Sequence, residues 1–174
     1  ETARHIISCY AHMLVRRHAN DAEIASLLED ASMWTNATEY WLKFIPEMLR
    51  AFCFRSAYAT LARQFEHLGP EHDYLYQQLL EAFLELEIYL GKYHDAASYA
   101  QVLLNLGFIR NDKACTCRGL IRLGDTLRLI GNHNAAADIL QTAIELAKEL
   151  QDNQLIDNTY HSIAKLMLET GDNG

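Results

Sequence analysis

"LIRLGDTLRLIGNHNAAADILQTAIELAKE", residues 120–149, holds two apolar stripes on either side of Gly131-Asn132. In the first, Leu120, Leu123, Gly124, Leu127 and Gly131 fall at i, i+3, i+4, i+7 and i+11, which is one side of a helix. In the second, Ala136, Ile139, Leu140, Ala143, Ala147 and Leu150 repeat that spacing. Gly131 is placed to end the first helix, because a residue without a Cβ enters the left-handed closing conformation at little steric cost. A connection this short makes the two helices antiparallel neighbours. Gly124 and Ala143 then lack bulk where the axes cross, and a close approach is expected there.

The pattern recurs. Gly91, in "LLEAFLELEIYLGKYHDAASYAQVLLNL", and Gly171, in "YHSIAKLMLETGDNG", stand forty residues to either side of Gly131. Leu80, Phe83 and Leu84 match Leu120, Leu123 and Gly124, and Tyr160, Ile163 and Ala164 match them again; Ala96 matches Ala136. A fixed period built from a helix pair is the signature of a solenoid, in which each hairpin buries one face in itself and another against its neighbours.

These residues resemble the tetratricopeptide repeat, with its large residue, its large-small pair, its glycine before the turn and its alanine early in the second helix. The standard unit is about 34 residues, so this is a longer variant. Leu84 and Leu103 depart from the pattern where small residues are usual, which sets that pair of helices farther apart. The resemblance implies an all-α fold of antiparallel helix-turn-helix repeats, stacked in a right-handed superhelical solenoid. It also implies a partner-binding groove along the first helix of each pair. Carried onto this sequence, the groove residues are Gln78, Glu81 and Glu85, then Arg118, Asp125 and Arg128, then Asn158, His161 and Lys165. Arg118 and Arg128 are suited to bidentate contacts with a peptide carboxylate. The alternative is a solvated face with intrahelical pairs such as Arg122–Asp125.

The first seventy residues are less regular. Trp34 and Ala37 follow Ser32 as Tyr93 and Ala96 follow Gly91, and Phe54 and Ala57 stand in the same relation to Phe52. Helices are expected over 3–17, 21–31, 35–51, 55–67, 72–90, 94–107, 112–130, 134–150 and 154–170, irregular in 1–68 and regular in 72–174, as one repeat domain. Asn20 with Glu23, and Asn36 with Glu39, have the spacing of capping boxes. Gly69-Pro70 is a stop followed by a residue suited to a first helical turn. Pro46 is expected to kink or break its helix. The stretch "ASMWTNATEYWLKFIPEMLRAFCFRSAYATLARQFEHL" also resembles the repeat region that follows the nucleotide-binding domain in STAND-type signalling ATPases, soluble-type adenylyl cyclases and MalT-like regulators. That resemblance implies a regulatory segment of a larger signalling protein, binding a peptide, a protein or other domains of the same chain. A free-standing peptide sensor or a segment of a transcriptional regulator is the nearest rival.

Composition excludes other classes. The 174 residues carry a net charge of -8, unsuited to the basic stripe a nucleic-acid surface needs. No apolar run is long enough to span a membrane. Four cysteines, Cys9, Cys53, Cys115 and Cys117, do not make a disulfide scaffold, and a reducing, cytoplasmic setting is expected. The chain starts at Glu1 without a signal peptide, and the pattern calls for a partner helix after Gly171-Asp172-Asn173, so a piece of a longer array is expected.

Signals of chemistry are weak. His5, Cys9 and His12 lie at i, i+4 and i+7, on one side of a helix, and are conceivable zinc ligands; a packed face with Cys9 as filler is the plainer reading. A metal-binding or enzymatic helical domain would have to use them. Cys115 and Cys117, two apart on a helix, point to different sides. Neither GxGxxG nor GxxxxGK[ST] occurs, and no nucleophile has a visible supporting pair. No catalytic residue and no cofactor is therefore expected. Trp34, Tyr40, Trp41 and Phe44 form an aromatic group that reads as core, with a peptide pocket as the alternative.

Overall fold

The computed structural model describes residues 20–69 and 72–171. Among them are eight helices and no strand: α1 (Asp21–Asp30), α2 (Trp34–Arg50), α3 (Phe54–His67), α4 (Asp73–Tyr89), α5 (Tyr93–Arg110), α6 (Lys113–Ile130), α7 (His133–Leu150) and α8 (Asn153–Thr170). The fold is all-α, built of helix-turn-helix repeats. The helix expected over 3–17 and Pro70 lie outside the described residues. Two compact units are present, Glu1–Ala82 and Phe83–Gly174, and the division falls within α4.

One turn geometry repeats. Ser32, Phe52, Gly91, Asn111, Gly131, Gln151 and Gly171 all have positive φ, between 54° and 90°. At the first six the chain closes its helix with the same two bonds. At Gly131, for example, the glycine N–H donates to Arg128 O and the next N–H, of Asn132, donates to Leu127 O, each at 2.9 Å. This is the Schellman arrangement, which satisfies carbonyls otherwise left open at a helix end. From Gly91 onward these residues recur every twenty positions, so the forty-residue period is two equal helical steps.

The residue five places after each turn sits at a packed position. Ala37, Ala57, Ala96 and Ala136 there are fully buried. The following helix is often capped by a side chain: Asp112 Oδ1 accepts from Cys115 N at 2.9 Å, and Asp152 Oδ1 from Gln154 N at 3.0 Å and Leu155 N at 3.1 Å.

In the second unit α6 touches α5, α7 and α8. Its core gathers Leu104 of α5, Cys117, Leu120 and Ile121 of α6, Ala143 and Ala147 of α7 and Leu155 of α8. Glycine permits the closest approaches. A Cβ on Gly119 would stand 2.6 Å from Leu104 Cα, and one on Gly107 would stand 2.5 Å from Thr116 N, so α5 and α6 meet nearly backbone to backbone. A Cβ on Gly124 would stand 2.6 Å from Leu140 Cγ, on α7. The expected narrow crossing of α6 and α7 is present, but Gly124 faces a leucine side chain. The tighter contact lies on the other side of α6. Where Leu84 replaces a small residue, Ala96 and Ala100 of α5 supply the room.

Three local expectations are corrected. Asn36 does not cap: α2 begins at Trp34 with Met33 at its N-cap, because the turn at Ser32 fixes the cap three residues earlier. Asn20 does cap, accepting from Ala22 N at 2.7 Å and Glu23 N at 3.1 Å. α2 runs unbroken through Pro46; the proline lies on the exposed face, where water can serve the carbonyl it leaves open, while buried Ile45, Met48 and Leu49 hold the helix in place. α5 extends to Arg110, three residues past its expected end, until Asn111 turns.

In the first unit Ile24, Ala25 and Leu28 of α1 pack against Ala37 and Trp41 of α2, with Tyr40 and Phe44 beside them. The aromatic group is thus core, except that Trp34 turns to α3 and stacks on His67 at 3.6 Å. A polar network ties the three helices. Glu29 of α1 accepts from Trp41 Nε1 at 2.6 Å, from Arg63 Nε at 3.1 Å and from Gln64 Nε2. Thr38 Oγ1 donates to Gln64 Oε1 at 2.9 Å, both side chains being buried.

Candidate functional site

The repeat register puts Glu39 of α2, Gln78 of α4, Arg118 of α6 and Asn158 of α8 at equivalent positions, counted back from Phe52, Gly91, Gly131 and Gly171. All four are polar and either exposed or intermediate in exposure. The next positions along the same side, Glu81, Glu85, Asp125, His161 and Lys165, are also accessible to some degree. Gln78 and Glu81 belong to the first unit; Glu85, Arg118, Asp125, Arg128, Asn158, His161 and Lys165 belong to the second.

In the first unit Gln78 borders a cavity of about 330 Å³ with Tyr74 and Leu75 of α4 and Glu39, Leu42 and Lys43 of α2. Lys43 Nζ also lies 4.8 Å above the Tyr40 ring. The α2 side of this cavity was absent from the expected groove, although the register that links Phe52 to Gly91 points straight to Glu39. The connection before α4 makes that step one residue shorter than the later ones, which hides the correspondence.

In the second unit the structure joins Asp125 and Arg128. Arg128 is only 9% exposed. Its Nε faces Asp125 Oδ1 at 3.8 Å, and its Nη1 pairs with Glu169 of α8. Ser162 Oγ, also on α8, donates to Asp125 Oδ2 at 3.0 Å. Two of the groove residues thus clamp α6 to α8. Arg118 is of intermediate exposure, Glu85, Asn158 and His161 are exposed, and Lys165 is intermediate. Carboxylate, guanidinium, amide, imidazole and ammonium groups thus lie at these positions of the second unit. A second cavity of about 390 Å³ lies between residues 91–95 and Leu129 and Ile130.

His5, Cys9 and His12 lie outside the described residues. Cys115 and Cys117 do diverge: Cys115 Sγ lies 3.5 Å from Leu103 O of α5, and Cys117 Sγ lies 3.4 Å from Ala143 O of α7. Burial pushes the Cys117 thiol up to about 11. Among the described residues no helix is long and apolar enough to cross a membrane. Neither a protein-family model nor a curated protein matches the chain.

Proposed function

We propose that this chain is a non-catalytic interaction module of the tetratricopeptide type, working in the cytoplasm within a larger signalling protein of the STAND ATPase or adenylyl cyclase kind. The observation that carries this reading is the set of register-equivalent polar residues Glu39, Gln78, Arg118 and Asn158, one on every second helix. Within the second unit, a ligand crossing α6 and α8 meets Arg118 and then Asn158. The partner is a peptide, a protein or another domain of the same polypeptide; the net charge of -8 speaks against nucleic acid.

Arg128 is buried and committed to Asp125 and Glu169, so it is not placed to contact a partner. Photo-crosslinking tests the reading. A benzophenone side chain placed at Glu85 or His161 is expected to capture a discrete partner, and one placed at exposed Gln141 of α7 is not. Equal capture from both faces, or none from the groove positions, contradicts it.

A further inference from the structure

The turn between α2 and α3, in the first unit, breaks rules that its register-mates keep. Ser32, Gly91, Asn111, Gly131, Gln151 and Gly171 put a small or polar residue at positive φ; here the residue is Phe52, at φ 58°. Packing does not explain it: Phe52 is 78% exposed, and its ring meets Phe54 edge-on at a centroid distance of 5.9 Å. α3 then opens with Arg55 and no acid in its first turn, against the positive end of its own dipole, and Cys53 at the N-cap makes no side-chain capping bond. Arg50 to Cys53 are exposed without a break, as are Arg55, Ser56 and Tyr58.

Charge also separates this turn from the rest of the chain. Between Met48 and Phe65 stand Arg50, Arg55 and Arg63 and no Asp or Glu, in a protein of net charge -8. Arg63 is paired with Glu29, so Arg50 and Arg55 are the cations at the tip. Arg50 Nε donates to Pro46 O at 3.2 Å, which holds it at the end of α2. Glu47, exposed one turn earlier, is the nearest acid in sequence. Local features that serve neither the turn nor the core point to something outside both.

We infer that the tip formed by Arg50, Phe52, Phe54 and Arg55 docks on an anionic lipid bilayer. The two rings supply an apolar wedge for the acyl boundary, while the guanidinium groups stay among the phosphates. A lipid surface needs no matching pocket, which suits a turn exposed along its length; a protein would have to supply a pocket for Phe52. The acidic remainder of the chain does not oppose this beyond about 10 Å, the reach of a charge in ordinary salt. Residues 1–19, with three arginines and one glutamate, carry the wrong charge to cover the tip. The inference does not rest on the groove residues, and either reading can fail alone.

Co-sedimentation of the whole chain with vesicles tests it. Vesicles of phosphatidylcholine mixed with phosphatidylserine should pellet the protein, and vesicles of phosphatidylcholine alone should pellet much less. Arg50→Gln and Arg55→Gln should each weaken binding about fivefold, and added salt should weaken it further. Phe52→Gly should weaken it about tenfold or more, with a thermal midpoint unchanged or higher, which separates lost docking from lost folding. Should that variant melt early, Phe52→Asn provides the same comparison. No pelleting with either vesicle, or equal pelleting with both, overturns the inference. So does unchanged pelleting of the Phe52 variants, which traces the binding to another surface. A labelled peptide of alternating glutamate and leucine that binds through Phe52 while vesicles do not assigns the tip to an acidic protein segment, and overturns it as well.

Discussion

Single residues set the spacing of this fold in two ways. Gly119 and Gly107 permit α5 and α6 to touch through their backbones. Gly119→Ala should cost about 1–3 kcal/mol, measured by denaturant unfolding, because the new Cβ meets main-chain atoms that cannot yield. Gly124→Ala should cost less, since Leu140 can change rotamer. The turn residues act through φ. A side chain in the left-handed region costs about 1–2 kcal/mol relative to glycine, and Phe52, 78% exposed at φ 58°, holds its position with little packing in return. Phe52→Gly is expected to raise stability by about 0.5–1 kcal/mol after the greater freedom of glycine in the unfolded chain is counted. The thiols give a chemical check. At pH 8 an alkylating reagent should modify exposed Cys53 and spare buried Cys115 and Cys117, as read by peptide mass spectrometry. Burial raises the Cys117 thiol from 9.0 to about 11, so the folded state holds its proton more tightly than the unfolded one. The associated stability is whole below pH 9 and is lost as pH rises from 9 to about 11; Cys117→Ala should remove that part of the alkaline decline.

At the scale of the element, α2, α3, α5, α6 and α7 are similar objects: a left-handed turn, in some an Asp or Asn cap, a buried small residue at the fifth place, then an amphipathic run. The helices were legible because their apolar stripes and three glycines keep the same step. Their ends were less so. Glycine announces a left-handed residue; Ser32 and Phe52 are reached only through the spacing of the residues after them, and Asn111 and Gln151 only through the hydrogen bonds of the closing turn. Asn36-Glu39 shows the opposite failure, a cap motif overruled by a turn four residues upstream. Gly107 and Gly119 were missed because the stripe was followed within one hairpin and not across to its neighbour. Asp152 offers a direct test of capping. Asp152→Ala should lower stability by about 0.5–2 kcal/mol through the two amide donors it leaves unbonded. Asn36→Ala, at a residue that caps nothing, should change it little.

For the molecule, the governing regularity is the twenty-residue step from Gly91 to Gly171, with Ser32 and Phe52 keeping the same step earlier in the chain. It explains why the candidate positions on three of the four helices were legible: residues on α4, α6 and α8 follow from the forty-residue period. It also explains what was not. Glu39, Leu42 and Lys43 sit one residue out of step, and the burial of Arg128 depends on Glu169, forty-one residues away, which no local pattern reveals. Reversing Arg128 to Glu would set three carboxylates together and disturb the α6–α8 contact, whereas His161→Glu, at an exposed position, should alter partner binding with the fold intact. The claim beneath all of this is the recurring turn. Backbone NMR measures it directly, through assigned carbon shifts and HN–Hα couplings. The account predicts helical shifts interrupted at 32, 52, 91, 111, 131, 151 and 171, with positive φ at each. Helical shifts and negative φ running through Phe52, Asn111 or Gln151, or strand shifts in place of any of these helices, would contradict it.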